Sequence, residues 1–130
     1  MIVLDTHVWI WWLHGDHPSF TPRFRDAVAG ASDVGVSAVS CFEVAWLVIR
    51  QRVQIAHGLD EWFDRALRVS GVRLLPLTPE IARLAAELPA HHGDPFDRII
   101  IATAVANDAK LLSADAKFPA YEILKGRLNP

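Results

Sequence analysis

The sequence predicts an α/β protein, a parallel sheet of about four to five strands with helices on both faces. Three observations predict it. Short apolar runs, of which Ile2-Val3-Leu4 is the clearest, have the character of strands buried on both sides. Longer stretches with helical spacing, each with start and stop signals, separate those runs. The acids Asp5, Glu43, Asp97 and Asp115 each fall at the end of a strand or near the start of a helix. In parallel sheets that is the edge where ligands bind.

Taken in order, the first strand ends at Asp5. Thr6 to His14 reads as a helix stopped by Gly15 and Asp16. It is apolar nearly all round and carries Trp9, Trp11 and Trp12. Either it is a core helix or a partner covers its outer face, because a lone surface helix shows one polar side. Pro22 starts a short helix to about Ala29, and Gly30-Ala31-Ser32-Asp33 turns the chain into a second strand, Val34 to Ala38. Ser40 and Glu43 have the spacing of a capping box, which by itself is a sufficient structural reason for Glu43. The helix they open runs from Val44 to about Arg52 and is apolar until Arg50. After His57-Gly58, a helix from Leu59 to about Val69 sets Trp62, Phe63, Ala66 and Leu67 against a charged face. Val72 to Leu77 is a strand whose Pro76 marks an edge or an end. Thr78-Pro79-Glu80 caps a helix to about Leu88, with Ile81, Leu84, Ala85 and Leu88 inward.

The stretch from His92 to Arg98 then opens a long helix to about Asn107. Asp94 has the chemistry of an N-cap, Pro95 suits the first helical position, and Asp97 follows three residues after the cap. Lys110 to Ser113 is a further strand, ending just before Asp115. Ala116 to Tyr121 is a loop or short helix, Glu122-Ile123-Leu124 a candidate last strand, and Lys125 to Pro130 a fraying tail. No internal repeat, low-complexity segment or linker interrupts the 130 residues, which suit one domain.

Composition narrows the function. Apolar residues make up 52% and charged residues 22%, a globular balance. Thirteen Lys and Arg against fifteen Asp and Glu exclude a broad basic face for nucleic acid, so a bound phosphate backbone needs positive charge from elsewhere. The single Cys41 allows neither an internal disulfide nor a cysteine–histidine zinc site. With no basic leader before Ile2, and an apolar run from Val8 to Leu13 far below the roughly 20 residues of a membrane span, the expectation is a soluble, cytoplasmic protein.

If Asp5, Glu43, Asp97 and Asp115 meet at one sheet edge, their ionised carboxylates repel, and a cation relieves that repulsion. An oxygen-only donor set suits Mg²⁺ or Mn²⁺. Acid clusters holding such ions serve phosphodiester cleavage, where the ion activates water and stabilises the leaving oxygen. His7 either touches substrate or packs, His91-His92 reads as surface loop, and Cys41 reads as a small buried residue, since a negative field opposes thiolate formation.

The blocks Ile2-Val3-Leu4-Asp5-Thr6-His7, Val36-Ser37-Ala38-Val39-Ser40-Cys41-Phe42-Glu43, Asp94-Pro95-Phe96-Asp97-Arg98 and Leu111-Leu112-Ser113-Ala114-Asp115 resemble the four motif blocks of PIN-domain ribonucleases. In order and spacing they are most similar to the VapC toxins of bacterial toxin–antitoxin pairs, and the resemblance covers essentially the whole chain. It implies a PIN α/β/α sandwich and an Mg²⁺- or Mn²⁺-dependent endoribonuclease. Asp5, Glu43, Asp97 and Asp115 match the acidic quartet, Asp94 an additional acid, and Thr6 and Ser113 hydroxyl positions that line or orient the site. On this reading Asp5, Asp97 and Glu43 hold a first ion, while Asp115 and Asp94 complete the site or hold a second. Arg98 either balances charge developing on the phosphate or pairs with Asp94. The resemblance also implies a homodimer and a VapB-type antitoxin lying over the helical groove, with Trp9, Trp12 and Trp46 marking that surface. Three rivals share parts of the pattern: a non-cleaving PIN-like binding module, a DNA-directed PIN nuclease, and a phospho-accepting receiver domain. The receiver lacks support, because it needs paired acids after the first strand and here Asp5 is followed by Thr6-His7.

Overall fold

Apolar runs too short to cross a large sheet still build one when every strand is parallel and buried on both faces. A computed structural model describes residues 1–90 and 93–130, so the reading of His91-His92 lies outside the described residues. The strands are β1 (Ile2–Leu4), β2 (Val34–Ser37), β3 (Arg73–Leu75) and β4 (Lys110–Leu112). They pair in parallel in the order β3-β2-β1-β4, with Ile2 opposite both Val34 and Lys110, and Gly35 opposite Arg73. The strand that carries Pro76 just beyond its end is an edge strand, as its sequence predicts.

The helices are α1 (Thr6–His14), α2 (Pro22–Ala29), α3 (Ala38–Ile49), α4 (Leu59–Phe63), α5 (Pro79–Glu87) and α6 (Pro95–Ala106). Period-two alternation divides them into two layers. Ile2 and Leu4 of β1 and Leu112 of β4 join Val8, Trp9, Phe24, Val44 and Ala66 in one core, beneath α1 to α4. Val3 and Leu111 point the other way, into a second core with Ile100, Ile101, Phe118, Tyr121 and Leu124. The α/β/α sandwich follows from that alternation.

Several local expectations are corrected. The N-cap of α3 is Ser37, whose Oγ accepts from Val39 N at 3.2 Å, so Ser40 and Glu43 do not form a capping box. The physical reason is that β2 passes into α3 with no loop between them, which moves the helix start upstream and puts Ser40 inside the helix. Ser40 is fully buried and its Oγ accepts from Thr6 Oγ1 at 2.9 Å. The helix expected from Leu59 to Val69 changes at Asp64 into π-helical turns that run to Val69. Glu122–Leu124 is a 3₁₀ turn and not a strand. The tail does not fray: Arg127 O accepts from Leu111 N at 2.9 Å, and Asn129 N donates to Leu111 O at 2.8 Å, so Leu128 lies parallel to β4.

Candidate functional site

Each acid of the site arrives by a short-range rule. Asp5 leaves β1 with its backbone still paired, its N–H donating to Leu112 O at 2.9 Å. Its side chain then caps α1, Oδ1 accepting from Thr6 N at 2.8 Å. Asp94 caps α6 as expected, its Oδ1 accepting from Phe96 N at 2.9 Å, with Pro95 at the first position and Asp97 in the first turn. Glu43 projects from the second turn of α3, and Asp115 follows β4 with its Oδ1 accepting from Lys117 N at 2.8 Å. All five acids, with His7, Trp11 and Ala114, line one cavity of about 250 Å³ at the carboxyl edge of the sheet. One oxygen each of Glu43, Asp94 and Asp97 lies within 4.8 Å of the other two.

Burial and mutual repulsion set the electrostatics. Asp97 is pushed up to about 8, first by burial and then by the charges of Asp5, Asp94, Glu43 and Asp115. Burial also raises Asp5, opposed by hydrogen bonds from Ser113 and Thr6. Glu43 is raised by burial too, with the Thr6 hydroxyl pulling the other way. Its Oε1 is buried and has no hydrogen-bond partner among the described residues. A carboxylate oxygen without a donor, facing further carboxylates, is the environment that a hard divalent cation satisfies. The donor set fits Mg²⁺ or Mn²⁺, for it is oxygen throughout and includes no thiolate.

A hydrogen-bonded chain supports these acids, through Ser113, one of the expected hydroxyl positions, and Asn129, which sequence reasoning missed. Ser113 Oγ donates to Asp5 Oδ2 at 2.7 Å and accepts from Asp115 N at 3.0 Å, so one hydroxyl joins two of the acids. Asn129 holds Ser113 in turn: its Oδ1 accepts from Ser113 N at 2.9 Å and its Nδ2 donates to Ser113 O at 2.8 Å. Arg23 reaches the Asn129 carbonyl at 2.6 Å. The signal available in the sequence was slight, an asparagine in a tail. Its φ of 49° lies in the left-handed region where asparagine is enriched.

Other expected site residues sit elsewhere. Arg98 is engaged by backbone carbonyls, donating to Leu88 O at 2.6 Å, Pro89 O at 2.9 Å and Ala86 O at 3.2 Å. It fastens α6 to the end of α5 and is not among the residues lining the acid cavity. Trp9 is fully buried, packed edge-on against Trp62 at 4.8 Å, and belongs to the core instead of a partner surface. Trp12 is half-buried against the same core. Trp46 is 43% exposed, beside Phe42 at 55% and Ile49 at 68%, which leaves an apolar strip along α3. Thr6 is fully buried beneath the site, and Cys41 is half-buried, with burial raising its thiol.

The PIN domain model matches residues 2–124 of the chain. The sequence is similar to Ribonuclease VapC22 of Mycobacterium tuberculosis, 32% identical over 121 residues that cover 92% of this chain and 91% of that protein. Among solved structures the fold is similar to VapBC2 from Rickettsia felis bound to a DNA fragment from their promoter. There the TM-score is 0.69 at 15% identity, over 98% of this chain and 97% of that one. It is also similar to a toxin-antitoxin complex from Klebsiella pneumoniae, with a TM-score of 0.64 at 19% identity over 90% and 88% of the two chains.

Proposed function

Because the chain belongs to the PIN-domain family, we propose that it is a divalent-metal-dependent endoribonuclease and the toxin of a VapB–VapC-type pair. One observation carries the reading: five acids from four places in the fold line a single cavity in which Glu43 Oε1 has no hydrogen-bond partner among the described residues. Keeping that many carboxylates together costs stability, and a scaffold that only bound a partner has no use for it.

Asp5, Glu43 and Asp97 are the residues to hold Mg²⁺ or Mn²⁺, with Asp94 and Asp115 completing the site. When bound, the ion supplies positive charge for the phosphate and lowers the pKa of water. The protein's own part is positioning. Ser113 turns Asp5 toward the cavity and ties Asp115 to it, while Thr6 braces α3 through Ser40 beneath Glu43. A protonated Asp97 is also an acid poised to release its proton when positive charge enters the cavity. The VapBC and toxin-antitoxin names of the structural relatives support an antitoxin partner. The exposed strip of Phe42, Trp46 and Ile49 supplies surface for that antitoxin or for a second copy of the chain. Among the described residues no helix is long and apolar enough to cross a membrane.

The test is mapping of new RNA 5′ ends after purified, antitoxin-free protein is added to total RNA, with Mg²⁺ or Mn²⁺ and with chelator. Discrete ends that need both the metal and Asp97, and are lost in Asp97→Asn, are expected. Folded protein that generates none would sink the ribonuclease reading, and cleavage of a DNA version alone would move it to DNA.

A further inference from the structure

The acid cavity has one wall that is not acidic. His7 and Trp11, one turn apart on α1, line it beside the carboxylates. Their rings lie 6.1 Å apart. Trp11 also stacks on His17, with centroids 5.4 Å apart and planes only 14° from parallel. His17 is fixed by the loop that follows α1, its Nδ1 accepting from Ser19 N at 3.1 Å. His17, which is not among the residues lining the cavity, packs against the indole ring. His14 extends the row edge-on at 5.7 Å. Trp11 packs against the core that holds Trp9, as Trp12 does, and it also lines the cavity. Trp9 fills the core completely, whereas Trp11 stays half-buried at the rim, between carboxylates and an imidazole.

We infer that Trp11, held by His17 and flanked by His7, is a stacking platform for a nucleobase adjoining the scissile phosphate of a single-stranded RNA. The inference rests on the ribonuclease reading and deepens it. Electrostatics favours a base as the occupant. A chain of net charge −2, with five carboxylates at its cleft, gains little from phosphate contacts beyond the ion itself. Stacking on an indole is a neutral interaction that survives in a negative field, and it accepts any base, since every base has a π-face. It also selects unpaired RNA, because a base inside a duplex offers no free face.

Binding of a fluorescein-labelled single-stranded oligoadenylate of eight nucleotides, with Mg²⁺, is the measurement, in an Asp97→Asn background that prevents cleavage. Trp11→Ala should weaken binding about tenfold or more, while Trp11→Phe, which keeps a ring, stays within about threefold. Replacing the nucleotides one at a time by abasic ones should reveal one position at which Trp11→Ala has no further effect. His17→Ala should weaken binding by a smaller factor at that same position. Equal binding by Trp11→Ala, or a loss spread evenly over all abasic positions, would overturn the inference. So would a Trp11→Ala protein that binds RNA normally but no longer holds its antitoxin. The active protein separates the two levels of the argument. Metal-dependent cleavage of RNA with an unchanged KM in Trp11→Ala defeats the platform alone, whereas no cleavage by wild type defeats the ribonuclease reading and the platform with it.

Discussion

Asn129 shows how a single residue remote in sequence governs the geometry of the site. Its side-chain amide clasps both backbone groups of Ser113, and Ser113 Oγ then fixes Asp5 and the N–H of Asp115. Asn129→Ala removes two hydrogen bonds and leaves the Ser113 backbone to find other partners, which should cost about 1–2 kcal/mol of stability. A purely structural effect would end there. A positioning effect predicts in addition that folded Asn129→Ala, at a temperature well below its transition, binds Mn²⁺ several-fold more weakly in a direct titration. Asn129→Gln should not rescue it, because the longer chain misplaces both amide groups. Wild-type Mn²⁺ affinity in Asn129→Ala would remove Asn129 from the site. Residues at this scale were legible in the sequence where the rule is local. Asp94 and Pro95 could be read as a cap and first turn because that bonding spans only a few residues. Arg98 and Asn129 could not, since their partners lie about ten and sixteen residues away and are backbone atoms, which leave no mark on composition.

The elements were legible to the extent that each carried its own punctuation. Thr21 and Thr78 cap α2 and α5, both ahead of a proline, and Gly15 closes α1. Gly15 stands at φ 94°, where its N–H reaches the carbonyls of both Trp11 and Trp12. A side chain there meets no neighbouring atom within 4 Å, so the penalty for adding one is conformational alone. Gly15→Ala should therefore destabilise the protein by about 1 kcal/mol. Denaturant unfolding would measure this, and no loss of stability would mean that α1 ends without needing that conformation. Where punctuation was absent or doubled, the reading slipped. Two serines stand near the start of α3, and the downstream one has the better box spacing, yet the strand runs directly into the helix and makes Ser37 the cap. The π-helical turns after Phe63 follow no sequence rule applied to that stretch, because the same side chains suit an α-helix.

At the scale of the whole molecule, the two cores were written into the sequence as continuous apolar runs that a parallel sheet buries on both faces, and the sheet edge followed from strands that end in acids. Whether those acids meet depends on how the layers stack, which only the structure resolves, and their meeting makes stability depend on pH. Asp97 ionises near its ordinary 3.8 when unfolded but at about 8 when folded. Between those values the folded protein holds a proton that the unfolded chain has released, so metal-free stability should fall as pH rises from about 4 to about 8. Asp97→Asn has no proton to lose there and should flatten that part of the profile. Because water reaches the cavity and the neighbouring acids share the repulsion, we expect wild type to lose about 2 kcal/mol more than Asp97→Asn between pH 5 and pH 8. Urea unfolding of both proteins with chelator measures this directly, and the titrating groups remote from the cavity cancel in the comparison. Saturating Mg²⁺ should then reverse the loss in wild type at pH 8, since an ion bound only by the folded state stabilises it by mass action. Asp97→Asn, short of one charged oxygen ligand, should gain much less. Parallel pH profiles for the two proteins would show that folding does not press the carboxylates together, and equal stabilisation by Mg²⁺ would show that Asp97 does not hold the ion.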